Sequence, residues 1–192
     1  IGGRLERFLQ INSEVGIIVL SWNSADLISR IEILPAGLSG RGLASGRVTG
    51  RMPPSIMNIA GRLLRYLENG LPLQIGDLSL VDSSQFSAFQ KSVYEAALKI
   101  PHGETRTYSW IAMRTGSPLA MRAVGQALKK NPIPILIPCH RVVSMKNIGG
   151  FMGMTDPSGR EVELKRKLIG IENDYLNPYF PFMEGFIATS AA

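Results

Sequence analysis

The stretch TYSWIAMRTGSPLAMRAVGQALKKNPIPILIPCHR, residues 107 to 141, decides how the whole chain is read. It opens on Thr107, whose side chain can accept a hydrogen bond from a free N–H at a helix start, so a short helix is expected from Tyr108 to Arg114. Gly116 supplies a turn, and a second helix is expected from Ser117-Pro118 to Lys130. Two short helices around a glycine turn form a helix-turn-helix pattern. Asn131-Pro132-Ile133-Pro134 then breaks the second helix, because proline lacks the N–H a helix interior needs. Ile135-Leu136-Ile137 reads as a short extended run that delivers Pro138-Cys139-His140-Arg141.

Upstream, Val15 to Trp22 and Leu27 to Leu34 predict a β-hairpin turning at Asn23 to Asp26. Residues 35 to 54 read as a long connection. Ser55 is expected to cap a helix whose face carries Ile59, Leu63, Leu64 and Leu67 and which closes at Asn69-Gly70. Leu71 to Val81 is a candidate for a further strand. After the polar break Asp82-Ser83-Ser84, the spacing of Phe86, Phe89, Val93, Ala97 and Ile100 predicts an amphipathic helix. Downstream, residues 144 to 160 form a Gly-rich loop, Asp156-Pro157 a helix start, and a final helix reaches Glu172. The fold class is therefore α+β. A small α/β domain is expected over residues 1–83, a mainly helical domain with the helix-turn-helix over 84–173, and a tail over 174–192.

With 192 residues, 45% of them hydrophobic, the chain can bury a substantial core, so general disorder is not the leading reading. Its net charge of +6 is uneven. Residues 86 to 172 carry 13 Lys+Arg against 6 Asp+Glu, whereas residues 1 to 85 carry 8 against 7. A polyanionic partner would therefore meet the second half. One cysteine excludes an internal disulfide framework, and with only two histidines no Cys/His zinc site is expected. Ile1 to Arg7 lack the features of a signal peptide and no apolar run reaches membrane-spanning length, so a cytoplasmic protein is expected.

A lone cysteine is more often a small core residue than a nucleophile. Here His140 is an adjacent base, Arg141 adds charge that favours thiolate, and Pro134 and Pro138 stiffen the approach. On an extended backbone neighbouring side chains diverge, so His140 is expected to reach the thiol through water. An acid should orient the imidazole, and Glu161, Glu163 and Glu172 are the candidates nearby in the chain.

Asn131 through Val143, together with Ile100-Pro101-His102-Gly103-Glu104-Thr105, Tyr108 and Arg122-Ala123-Val124-Gly125, resembles the O6-alkylguanine-DNA alkyltransferases, or methylated-DNA–protein-cysteine methyltransferases. The resemblance covers about Phe86 to Glu172. It implies transfer of an alkyl group from guanine O6 in double-stranded DNA to Cys139, irreversibly and once per molecule, by a monomer needing no cofactor or metal. O4-alkylthymine is a further candidate substrate, and a cytoplasmic, nucleoid-associated location is implied, or a nuclear one in a eukaryote. Among the residues it implies, His140 is the base acting through water, Glu172 the orienting acid, Asn131 the tie of the active-site turn, and Tyr108 a hydrogen-bond donor to the departing guanine. Arg122 would fill the gap left by an extruded nucleotide. Ala123 and Gly125 would let the helix enter a groove, with Thr107 and Arg141 as further DNA contacts. The carbonyls of Cys139 and Val142 would read the guanine amino group.

In the Gly-rich loop the chain departs from the family, with Phe151-Met152 where a Tyr-Ser pair is usual and a short insertion at Met154 to Ser158. Phe151 is expected to serve as an aromatic lid, and Met152 beside Gly153 to offer a backbone N–H to guanine oxygen. Two other readings stay open. One is a cysteine hydrolase built on Cys139 and His140, and the other a module that recognises alkylated bases without repairing them.

Overall fold

The computed structural model describes residues 7–35, 52–73, 75–154, 156 and 158–176. The chain begins with an antiparallel sheet of β1 (Arg7–Ser13), β2 (Gly16–Trp22) and β3 (Ile28–Leu34), with β2 in the centre. The expected hairpin is β2–β3. β1 lies outside that expectation because Arg7 to Ser13 mixes polar and apolar residues and is largely exposed, as an edge strand can be. On β2 the alternating Ile18, Leu20 and Trp22 enter the core, and β3 adds Ile28, Ile31 and Ile33, with a register shift at Ser21/Trp22.

Helix α1 (Pro54–Asn69) buries Ile56, Ile59, Leu63, Tyr66 and Leu67. Its cap is Pro53, not Ser55, since prolines at the entry pre-set a helical φ and need no donor. Gly70 ends it in the left-handed conformation at φ 66°, where a Cβ would meet the Ile171 carbonyl oxygen at 2.5 Å. Leu71 to Val81 forms no strand among the described residues. It contributes a single bridge, Val81 to Ile28, flanked by Ile28 N–H donating to the Leu80 carbonyl at 2.8 Å. The expected connection over residues 35–54 lies mostly outside the described residues.

Helix α2 (Ala88–Leu98) starts from a reciprocal Ser87/Gln90 capping box, which leaves Phe86 and Ile100 just outside the helix. Then come β4 (Arg106–Thr107), α3 (Tyr108–Arg114) and α4 (Met121–Lys129). Thr107 caps α3 as expected, accepting from Trp110 N–H at 3.2 Å. The second helix begins later than Ser117-Pro118 because Ser117 to Ala120 closes a turn of its own, with Ala120 N–H on the Ser117 carbonyl at 2.9 Å.

Ile135 to Ile137 is not extended. Ile135 sits at φ 74°, a costly conformation for a β-branched residue, and Ile137 N–H donates back to the Ile133 carbonyl at 3.0 Å. The result is a buried knot leading into a 3₁₀ turn, Cys139–Arg141, and then β5 (Val142–Val143), which pairs in parallel with β4. Helix α5 (Arg160–Leu176) starts after Asp156, whose side chain caps the preceding turn through Ser158, and not at Asp156-Pro157. It runs on through Asn173 to Leu176, so the tail expected from 174 begins as helix, and residues 177–192 lie outside the described set.

One apolar cluster includes both the first sheet and the helices around Cys139. Ile31 N–H on β3 donates to the Pro132 carbonyl at 2.8 Å, so the first sheet buttresses the turn that carries the thiol. Among the described residues no helix is long and apolar enough to cross a membrane.

Candidate active site

Cys139 opens the 3₁₀ turn, buried at 6% exposure, at the wall of a cavity of about 960 Å³. Asn131, just past α4, holds this turn by three hydrogen bonds. Its Nδ2 donates to Cys139 Sγ at 3.1 Å and to the Ile137 carbonyl at 3.0 Å, and its Oδ1 accepts from Ile133 N–H at 3.1 Å. The thiol's pKa is pushed up by burial and opposed by the Asn131 hydrogen bond, the Lys165 charge and nearby backbone N–H groups.

His140 is fully buried, and its Nε2 lies 2.7 Å from Glu172 Oε1. A carboxylate only accepts, so Nε2 carries the proton and Nδ1 is the basic nitrogen. Nδ1 is buried and finds no hydrogen-bond partner in the protein. No hydrogen bond joins the ring to Sγ among the described residues, consistent with the expectation that His140 does not reach the thiol directly. Burial pulls the imidazole pKa down, Glu172 opposes, and the Arg141 and Lys165 charges reinforce the fall. Burial thus disfavours the charged form of both the thiol and the imidazole.

Of the three candidate acids, Glu172 alone is buried, and the other two lie in the first turn of α5. Glu172 Oε2 accepts from Gly103 N–H at 2.9 Å and from Arg141 Nε at 2.9 Å, while Oε1 accepts from Arg141 Nη2 at 3.0 Å and from the Tyr66 hydroxyl at 3.0 Å. Burial would raise this carboxyl's pKa, but the hydrogen bonds and charges of His140 and Arg141 outweigh it and hold the group well below the usual carboxylate range. Gly103 reaches Glu172 because it has no side chain: at φ 75°, a Cβ there would collide with Leu176 Cδ1.

Arg141 is a correction. At 1% exposure, with its guanidinium on Glu172 and on the Ile100 carbonyl at 2.8 Å, it faces the interior and cannot contact DNA. Nor does its charge serve the thiol, since the cation that favours thiolate is Lys165. Lys165 Nζ donates to the carbonyls of Val142 at 2.6 Å and Gly150 at 3.1 Å. Burial lowers its pKa to about 8. The Val142 carbonyl therefore already has one donor and keeps a second lone pair.

The β4–β5 pairing puts the start of α3 beside the cysteine turn. Thr107 and Tyr108 line the same cavity as Cys139, with Arg122 and Gly125 from α4 and Phe151, Met152 and Gly153 from the loop. The Tyr108 hydroxyl has one long contact, 3.4 Å to the Gly150 carbonyl, and burial followed by the nearby Cys139 raises its pKa, so it stays a donor. Arg122 and Ala123 are exposed on α4, whose inner face buries Val124, Ala127 and Leu128. Phe151 is 4% exposed and packs into the core where it lines the cavity, and beside it Met152, at φ 46°, is exposed.

Lys165 and Tyr66 escaped the sequence reading. Lys165 left a trace, since it shares with Glu172 the α5 face that buries Val162 and Leu168. An ionisable residue on an apolar face needs a partner. Tyr66 left none, being an aromatic residue at an ordinary core position of α1.

Residues 88–174 match the family model described as the DNA binding domain of 6-O-methylguanine DNA methyltransferase. The constitutive methylated-DNA–protein-cysteine methyltransferase of Bacillus subtilis is 46% identical over 94 residues, 49% of this chain and 54% of the relative, so that match spans about half the relative's length. The methylated-DNA–protein-cysteine methyltransferase of Archaeoglobus fulgidus is 37% identical over 120 residues, 62% of this chain and 79% of the relative. The chain belongs to the methylated-DNA–protein-cysteine methyltransferase family. The fold of this family member is also similar to that of Mycobacterium tuberculosis OGT in complex with DNA, with a TM-score of 0.64 and 29% identity over 88% of this chain and 94% of the other.

Proposed function

We propose that the protein repairs DNA by moving an alkyl group from guanine O6 to the sulfur of Cys139, once per molecule. The observation that carries this reading is the hydrogen-bonded series from Asn131 to a buried thiol and from Glu172 to an imidazole whose free nitrogen is Nδ1. In the reaction the S–C bond forms as the O6–C bond breaks. The thiol proton passes through a water molecule to His140 Nδ1, and the guanine leaves with the electron pair of the broken bond. Tyr108 donates a hydrogen bond to the departing ring, which reduces the cost of its developing negative charge. The guanine finally takes up the proton that the thiol released. Cys139 is left as a thioether, which no residue here can hydrolyse, so the protein is consumed.

Guanine O6 in a duplex is inaccessible to a buried thiol, so the nucleotide must leave the stack. A cavity of about 960 Å³ beside α4 leaves ample room for an alkylated base. Arg122 fills the gap in the duplex, while Ala123 and Gly125 let α4 approach the groove closely. That a solved relative was crystallised in complex with DNA supports this docking. On this reading residues 1–83 support the reacting domain of residues 84–173, and the protein works as a monomer in the cytoplasm, where DNA lies and thiols stay reduced.

The test is intact mass after incubation with a duplex bearing one O6-methylguanine. The mass should rise by one methyl group on the peptide containing Cys139, and Cys139→Ser should bind the duplex with similar affinity and gain nothing. Binding without a mass change in the wild type would favour a recognition module, and turnover of an acyl substrate a hydrolase.

A further inference from the structure

We infer that the Tyr66 hydroxyl is a positioning residue of the proton relay: by donating to Glu172 Oε1 it disperses the carboxylate's charge and so sets the basicity of His140. The inference rests on the reading of Cys139 and His140 as nucleophile and base.

Tyr66 projects from the last turn of α1, fully buried, onto α5. Its oxygen lies 3.0 Å from Glu172 Oε1 and 3.4 Å from His140 Nε2. Burial, then the Glu172 charge, raise its pKa well above the ordinary value, so it keeps its proton at every working pH. Oε1 thus carries four donors, His140 Nε2 at 2.7 Å, Arg141 Nη2 at 3.0 Å, Arg141 Nε at 3.2 Å and the phenol at 3.0 Å. With the phenol's proton committed to Oε1, nothing beside Nε2 competes to give it a proton, so Nε2–H is fixed and Nδ1 stays the base.

Each donor on Oε1 weakens the pull of the carboxylate on an imidazolium. Without the phenol proton Glu172 would favour charged His140 more strongly, and protonated Nδ1 cannot accept a proton from the thiol. The other charged or titratable groups around the ring are Arg141 and Cys139 in its own turn and Lys165 on α5, with His102 Nδ1 3.8 Å from Glu172 Oε1. Tyr66 is the member of this set that comes from the first half of the chain, which gives that half a part in the chemistry beyond packing.

The test uses the full chain, with its single cysteine and two histidines. Tyr66→Phe keeps the ring and removes the donor. Imidazole ¹⁵N NMR should show His140 protonating at higher pH than in wild type. The acid limb of Cys139 alkylation by iodoacetamide should move the same way, so that at the wild-type midpoint the rate, relative to its own plateau, falls roughly two- to sevenfold, the effect of one buried hydrogen bond. A site-specific fluorotyrosine at position 66, a stronger donor of nearly equal volume, should move both readouts to lower pH. Unchanged profiles in both variants, or a uniform loss at all pH values, would assign Tyr66 to packing alone. Neither readout needs DNA, so a wild-type protein that fails to accept a methyl group would overturn the proposed function separately.

Discussion

Replacing Glu172 by Gln isolates the charge at the centre of the buried cluster. The carboxylate side chain is 2% exposed and answers a guanidinium that is 1% exposed. Removing one partner of a buried ion pair costs about 3–5 kcal/mol, because the other charge is left buried without compensation. Gln keeps one acceptor oxygen, so the lower end, about 3 kcal/mol, is expected here. Its amide NH2 must nevertheless face either Arg141 or His140 Nε2–H, both donors. For a chain of 192 residues the melting temperature moves about 2–4 °C per kcal/mol, which puts the fall at roughly 6–12 °C at neutral pH. The folded carboxyl's pKa is depressed, so its stabilisation is complete above the unfolded value of about 4.3 and is lost as pH falls towards the folded value. The difference between the melts of the two proteins should therefore be constant above about pH 4.3 and narrow as pH falls from there to about 3. The same substitution should slow methyl transfer, since the carboxylate charge that supports the basicity of His140 is gone. A melting difference below about 2 °C at pH 7, or one that persists unchanged into acid, would refute the account of Glu172 as an ionised counter-charge.

The other predictions concern groups that line or serve the cavity. Arg122→Ala should slow repair of duplex DNA strongly while changing reaction with free O6-benzylguanine little, because only the duplex requires extrusion; equal falls in both second-order rate constants would remove the role assigned to Arg122. Lys165→Met should move Cys139 alkylation by iodoacetamide to higher pH, since the cation that favours thiolate is gone. In the wild type that support should fade as pH rises past about 8, where Lys165 gives up its proton. An alkylation profile identical to wild type would show that Lys165 only ties the Val142 and Gly150 carbonyls together.

Local physics made much of this protein legible from its sequence. Thr107 as a cap, Gly116 as a turn and the prolines after Lys130 each act on their own backbone, so the helix-turn-helix could be read without knowing what packs against it. The periodicities of β2, β3 and α1 were legible for the same reason. Element starts failed where a neighbouring turn competed, at Ser117-Pro118 and Asp156-Pro157, and the extended reading of Ile135 to Ile137 failed because the Asn131 side chain bonds the backbone of Ile133 and Ile137 and folds the segment back on itself. The single thiol, its histidine neighbour and the asparagine before the prolines marked the site. What the sequence could not supply was which charges meet. Arg141 lies two residues from the thiol in the chain, yet its charge goes to Glu172, and the thiol receives Lys165 from a helix that begins more than 20 residues later. Tyr66, 106 residues before Glu172, joins the cluster only because α1 packs on α5. Hydrogen bonding and ion pairing between side chains depend on tertiary distance, and in a buried, low-dielectric setting that distance decides which group is a base, which a counter-ion and which a donor.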